Sequence, residues 1–143
     1  NPSNMEKAII DFCKRTHQQI PKGRGAFARI VYESLALKYR MVNEHICMAS
    51  GTKTKYINIV GGGSKNDLLN QFAANAVGVP VFAGPEEATA VGNAIVQAMG
   101  LGVIKNIKEA MSIISKAFRI REFKPVNIEK WDQAYERFSR ICK

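Results

Sequence analysis

The stretch that most restricts the fold runs over residues 56–81, YINIVGGGSKNDLLNQFAANAVGVPV. A short β-rich run, KYINIV, passes straight into three consecutive glycines. A helical pattern, NDLLNQFAANAVG, begins at once and closes at Gly78, and a second apolar run, VPVFAG, follows. Strand, Gly turn, helix and strand in that order predict a right-handed βαβ crossover on a parallel pair. Pro80 places the second strand at a sheet edge or near a strand start. Two or three short strands cannot make a full sheet for the many helices predicted elsewhere. The sheet therefore reads as incomplete, and the chain, which begins with Asn1, as a piece of something longer.

Three glycines exceed what a turn needs. In open α/β sheets ligands bind beyond the carboxyl ends of the strands, where Gly61, Gly62 and Gly63 fall. A glycine lets a flat ligand or a phosphate lie against the backbone with no Cβ in the way. The next helix, expected to start near Ser64 to Asn66, aims its free N–H groups at the same spot. The competing reading is a strained turn in which glycine only supplies positive φ. No GxxxxGK[ST] occurs. The dinucleotide pattern GxGxxG is met by Gly61 and Gly63 but has Asn66 at its third glycine, with Glu86 and Glu87 about 20 residues on. A dinucleotide site stays open on this evidence. The residues alone define an α/β domain with a backbone-exposed loop of nucleotide type.

The remaining pattern is helical. Ser3 and Glu6 form a capping box ahead of a face made by Met5, Ala8, Ile9, Phe12 and Cys13. QQIPKGRG is a loop. A long helix over residues 26–50 ends at Gly51. His45 on it reads as partly buried, and His17 as a solvated residue at a helix end. PEEATAVGNAIVQAMG predicts a helix with Pro85 at its first position and Glu86 and Glu87 in its first turn. Asn106 caps another, with Glu109 reciprocal. FRIREF reads as a short strand, and Ile128, Trp131, Tyr135 and Phe138 share one face of a last helix.

Composition narrows the classes. At 46% hydrophobic and 23% charged residues in 143, the chain is an ordinary globular domain. It has no apolar run near the roughly 18 residues of a membrane span, and its polar N-terminal segment carries no secretory signal. Cys13, Cys47 and Cys142 are odd in number, without a CxxC pair. They read as small buried hydrophobes in a reducing cytoplasm. The net charge of +9 raises nucleic acid as a partner, yet the lysines and arginines are scattered and no basic run is interleaved with aromatics, which argues against it.

The segment INIVGGGSKNDLLNQFAANAVGVPVFAGPEEATAVGNAIVQAMGLG resembles the C-terminal domain of the FGGY carbohydrate kinases. NPSNMEKAIIDFCKRT and ESLALKYR are similar to the rhamnulose-kinase branch of that family, so the likeness covers about residues 1–125. The resemblance implies an actin/hexokinase-type fold, in which two ribonuclease H-like domains close over a cleft holding ATP. On that basis residues 1–143 form the ATP-side domain, incomplete at its N-terminal edge. Gly61, Gly62 and Gly63 match the adenosine-contacting glycines, and Ser64 and Asn66 the adjoining polar positions. Gln71 matches the helix glutamine. Thr89 and Asn93 match a helix pattern expected to pack behind the loop, with Gly92 allowing a close neighbour. Where the family usually reads Ala-Asp, this chain has Ala74-Asn75, and the missing carboxylate is expected to weaken a local helix contact. Phosphoryl transfer also needs a catalytic base, γ-phosphate donors and Mg²⁺. The resemblance places those, and the contacts to a small sugar, in a missing N-terminal part. The chain alone is expected to be inactive.

Overall fold

The computed structural model describes residues 2–142. In chain order the elements are α1 (Met5–Arg15), α2 (Arg24–Ser50), β1 (Ile57–Ile59), a 3-10 turn (Gly61–Lys65), α3 (Asp67–Val77), β2 (Val81–Ala83), α4 (Ala88–Gly100), α5 (Ile107–Ala117), β3 (Arg121–Phe123) and α6 (Ile128–Ile141). This is the helix-rich α/β arrangement expected. β1 and β2 are parallel, with Ile57 opposite Val81 and Ile59 opposite Ala83, so the βαβ crossover forms as read. β3 joins antiparallel on the other side of β2, with Val81 opposite Phe123. β2 is therefore central and not an edge. Pro80 is tolerated because it sits just before the strand, where its carbonyl accepts from the Ile57 N–H at 2.9 Å.

α3 is the middle layer, and its composition explains how. Ala73 and Ala74 are fully buried with Val81 against Ile57, Ile59 and Phe123 of the sheet. On its other side, Ala76 is buried with Ala36 and Leu37 of α2, covered by Phe72 and by Trp131, Ala134, Tyr135 and Phe138. Alanines on both faces let the sheet and two helices approach one axis closely. Ile128, expected on the same α6 face, stays exposed.

A polar knot locks the α2, α3 and α6 layer. The Arg40 guanidinium donates to Asp132 at 2.5 Å, to Glu44 at 3.0 Å and to the Ala76 carbonyl at 3.3 Å, and lies 4.3 Å from the centre of the Tyr135 ring. The Tyr135 hydroxyl donates to Glu44 at 2.6 Å. Burial, then the hydrogen bond to the Glu44 carboxylate, pushes the Tyr135 phenol up to about 12. A phenol in the unfolded chain ionises near about 10. The unfolded state thus loses its proton first, so this contribution to stability is complete below pH 10 and is lost as pH rises through about 12. Following phenolate absorbance of the folded chain, one tyrosine should titrate about two units late, and Tyr135→Phe should remove that late phase.

Several local readings are corrected. α1 starts at Met5, so Asn4 is its cap and accepts from the Lys7 N–H at 2.9 Å, while Ser3 lies one residue too far out and Glu6 is solvated. Only Cys13 of the predicted α1 face is buried; Met5 and Phe12 are 55% and 41% exposed. His45 is exposed, not partly buried. Cys47 is half-buried beside Thr54, and Cys142 is exposed. α4 starts at Ala88, three residues after Pro85. The backbone before it is already engaged, because the Pro85 carbonyl accepts from Gly61 N–H and Gly84 N–H donates to Ile59. Among the described residues no helix is long and apolar enough to cross a membrane.

Candidate functional site

The carboxyl ends of β1 and β2 run side by side into two loops that bond to each other. Gly61 N–H donates to the Pro85 carbonyl at 3.0 Å, and Gly84 N–H to the Ile59 carbonyl at 2.9 Å. The parallel pairing thus extends past the strands and sets the turn of residues 61–65 at the mouth of the sheet. Lys65 and Glu86 join the loops again on the surface at 2.9 Å, and that bond holds the lysine above its ordinary range.

Of the three glycines, only Gly61 has a backbone conformation that asks for glycine. Gly61 has φ +74°, a left-handed conformation that a side chain resists. A Cβ on Gly63 would meet the Ile59 side chain at 3.7 Å, an ordinary contact. A Cβ on Gly62 would meet nothing within 4 Å, and its φ is not positive. Neither strain nor crowding within the described residues asks for glycine at 62.

The turn is fastened from its inner side. The Ser64 side chain is fully buried and donates to the Gly61 carbonyl at 2.7 Å, while Asn66 N–H donates to the Gly63 carbonyl at 3.2 Å. Asn70, also fully buried, donates through Nδ2 to the Ser64 carbonyl at 2.8 Å. Arg121 of β3 donates to that same carbonyl and to the Asp67 carboxylate. Asn66 caps α3, its Oδ1 accepting from Leu69 N–H at 3.1 Å. The helix therefore begins at Asp67, slightly later than expected, because Asn66 is spent as its cap. Of the predicted set, Gly61, Gly62, Gly63, Ser64 and Asn66 fall within one turn. Gly62 and Gly63 are open to solvent, and Ser64 faces inward.

Behind the turn, Gln71 and Asn75 tie α3 to the chain after β3. Gln71 donates to Asn75 Oδ1 and to the Lys124 carbonyl, both at 2.8 Å, and Asn75 Oδ1 also accepts from Val126 N–H at 2.8 Å. The amide oxygen accepts two hydrogen bonds here, so the absent carboxylate has not left this contact empty. Asn75→Ala would strand the Val126 N–H and should cost about 1–3 kcal/mol, whereas Asn75→Asp keeps the acceptor and should melt close to the parent. Thermal unfolding of the two variants checks this. Thr89, Gly92 and Asn93 lie exposed on α4, and a Cβ on Gly92 would meet nothing within 4 Å. The packing expected there is not supplied by the described residues.

Asn70, Arg121 and Lys65 were not singled out from the sequence. Asn70 left a signal, since it shares the stripe of Ala73, Ala74 and Val77, where an amide needs a partner. Glu86, the acid that the dinucleotide pattern needs free, is paired with Lys65. Among the described residues no three His, Cys, Asp or Glu side chains group to hold a metal.

A mixed sheet whose parallel pair ends in an internally braced glycine turn, packed among the six helices of the described residues, defines a helix-rich α/β domain. The model of the FGGY family of carbohydrate kinases, C-terminal domain, matches residues 1–101. The chain is 44% identical to a rhamnulokinase of Bacteroides thetaiotaomicron over all 143 residues, which are 30% of that protein. It is 38% identical to the Bacillus subtilis rhamnulokinase over 130 residues, covering 91% of this chain and 27% of the relative. For the Mannheimia succiniciproducens rhamnulokinase the figures are 41% over 124 residues, 87% and 26%. The chain belongs to the FGGY carbohydrate kinases, as part of their C-terminal domain. It spans about 30% of the length of the curated relatives it matches.

Proposed function

We propose that this chain forms the adenosine side of an ATP cleft, in a kinase that converts L-rhamnulose and ATP to L-rhamnulose 1-phosphate and ADP. The observation that carries the nucleotide part is Gly62, which is bare without any internal reason, at the mouth of a parallel strand pair in a family of kinases that use ATP. The adenosine lies along the outer face of Gly61, Gly62 and Gly63. Ser64 keeps the turn in shape from beneath, and Asn66 sets the start of α3 beside it. The rhamnulokinase relatives support the sugar, over xylulose, ribulose, fuculose or glycerol.

The chain holds the nucleotide but not the reacting groups. Of the chain's three aspartates, Asp67 is engaged by Arg121, Asp132 by Arg40, and Asp11 sits on α1. The base that takes the proton of the sugar hydroxyl, the γ-phosphate donors and the Mg²⁺ site belong to the remainder of the kinase. The setting is cytoplasmic rhamnose catabolism. The test is ADP release by the full-length protein on a panel of these sugars. Highest kcat/KM with L-rhamnulose is expected. Preference for another ketose reassigns the sugar, and no sugar-dependent turnover of ATP overturns the kinase reading.

A further inference from the structure

The Ser64 carbonyl lies between the glycine turn and α3, and two side chains from different elements donate to it: Asn70 of α3 and Arg121 of β3. We propose that Arg121 and Asn70 are positioning residues for the nucleotide, acting through this carbonyl to hold the pitch of residues 61–63 without touching the ligand. The inference rests on the nucleotide reading above.

Three observations carry it. Asn70 is fully buried on a stripe otherwise filled by alanine and valine, and its Oδ1 has no partner among the described residues. An apolar side chain would fill that position without an orphaned acceptor, so stability alone does not account for the amide. Its one hydrogen bond goes to the turn. Arg121 crosses from the far strand of the sheet to reach both the carbonyl and Asp67, which opens α3. Finally, the Ser64 hydroxyl holds the Gly61 carbonyl, so both ends of the turn are fixed from inside while the Gly62 face is left clear. A surface with no side chains has only backbone placement with which to meet a ligand, and small displacements of such a surface have large effects on binding and rate.

In the full-length kinase, Arg121→Met should raise the KM for ATP about tenfold, in the range where a misplacement of a fraction of an ångström acts. The KM for sugar should stay within about twofold of the parent, with kcat at saturating ATP changed far less than the KM for ATP. Arg121→Lys, which keeps one donor, should recover part of the loss. A merely structural role would lower the melting temperature and the active fraction but leave the KM for ATP unchanged, and that result overturns the proposal. Arg121→Met also frees the Asp67 carboxylate near the turn. The double variant Arg121→Met/Asp67→Asn separates the two causes: a retained rise in KM supports the braced turn, and a restored KM overturns it. If Arg121→Met does not fold, Arg121→Lys decides, with a rise of about threefold expected and an unchanged KM counting against. Gly62→Val is measured alongside. If it raises the KM for ATP and the Arg121 variants do not, only this inference fails; if it too has no effect, the nucleotide reading itself fails.

Discussion

Gly62→Val in the full-length kinase is expected to raise the KM for ATP about tenfold or more while leaving the KM for sugar nearly unchanged. Among the described residues nothing opposes the substitution: a Cβ at 62 meets nothing within 4 Å, and the backbone there is not left-handed. On the nucleotide reading proposed above, the valine collides with the ligand. Forcing extra methyl groups into an occupied contact costs about 1–3 kcal/mol, and each 1.4 kcal/mol is about tenfold in affinity. Gly61→Ala is the contrasting control. Its φ of +74° makes a side chain costly in the fold itself, by about 1–2 kcal/mol. The alanine at 61 should therefore lower the melting temperature, whereas the valine at 62 should not. A Gly62→Val enzyme with the parental KM for ATP would remove the adenosine from this turn.

The largest effect on stability is expected from Leu37→Ala. Among the described residues, Leu37 is the one large side chain of the buried α2, α3 and α6 cluster, its companions Ala36 and Ala76 being small. Phe72, Trp131, Tyr135 and Phe138 are anchored around it and cannot all collapse into the space it leaves. The loss should be about 3 kcal/mol, or roughly 10 °C in melting temperature for a domain of this size. Ile46→Ala on the same helix, where the side chain is 58% exposed, should change stability by less than about 0.5 kcal/mol. Equal losses at the two positions would mean that the cluster does not hold the layers together.

What could be read beforehand was whatever the chain encodes over short distances. The change from a strand pattern to a helical one across residues 56–78 marks the βαβ unit, because period and glycine placement are local. The C-terminal glycines Gly51 and Gly78 likewise closed their helices in left-handed conformation as expected. Readings failed where a distant partner decides. Pro85 has the local signature of a first helical residue, but its carbonyl is taken by Gly61, 24 positions earlier in the chain. Ser64 matches a site position in sequence, yet its hydroxyl turns inward to Gly61, and only the shape of the turn reveals that. Arg121 lies in a strand of three residues and finds Asp67 from 54 positions away. His45 lies on the long helix but is exposed, and its burial depends on which elements pack against that helix rather than on local sequence.

The brace on the glycine turn has a consequence for how such a sequence can drift. Its acceptors, at Gly61, Gly63 and Ser64, are all main-chain carbonyls. Every amino acid provides that oxygen, so half of each interaction is immune to substitution. For this brace, purifying selection can fall only on the side-chain donors Ser64, Asn70 and Arg121 and on the bare positions. Lys65, whose side chain leaves the turn for Glu86, can exchange widely within the loop, whereas Asn70 and Arg121, far apart in the chain, should be gained and lost together across descendants of one ancestor.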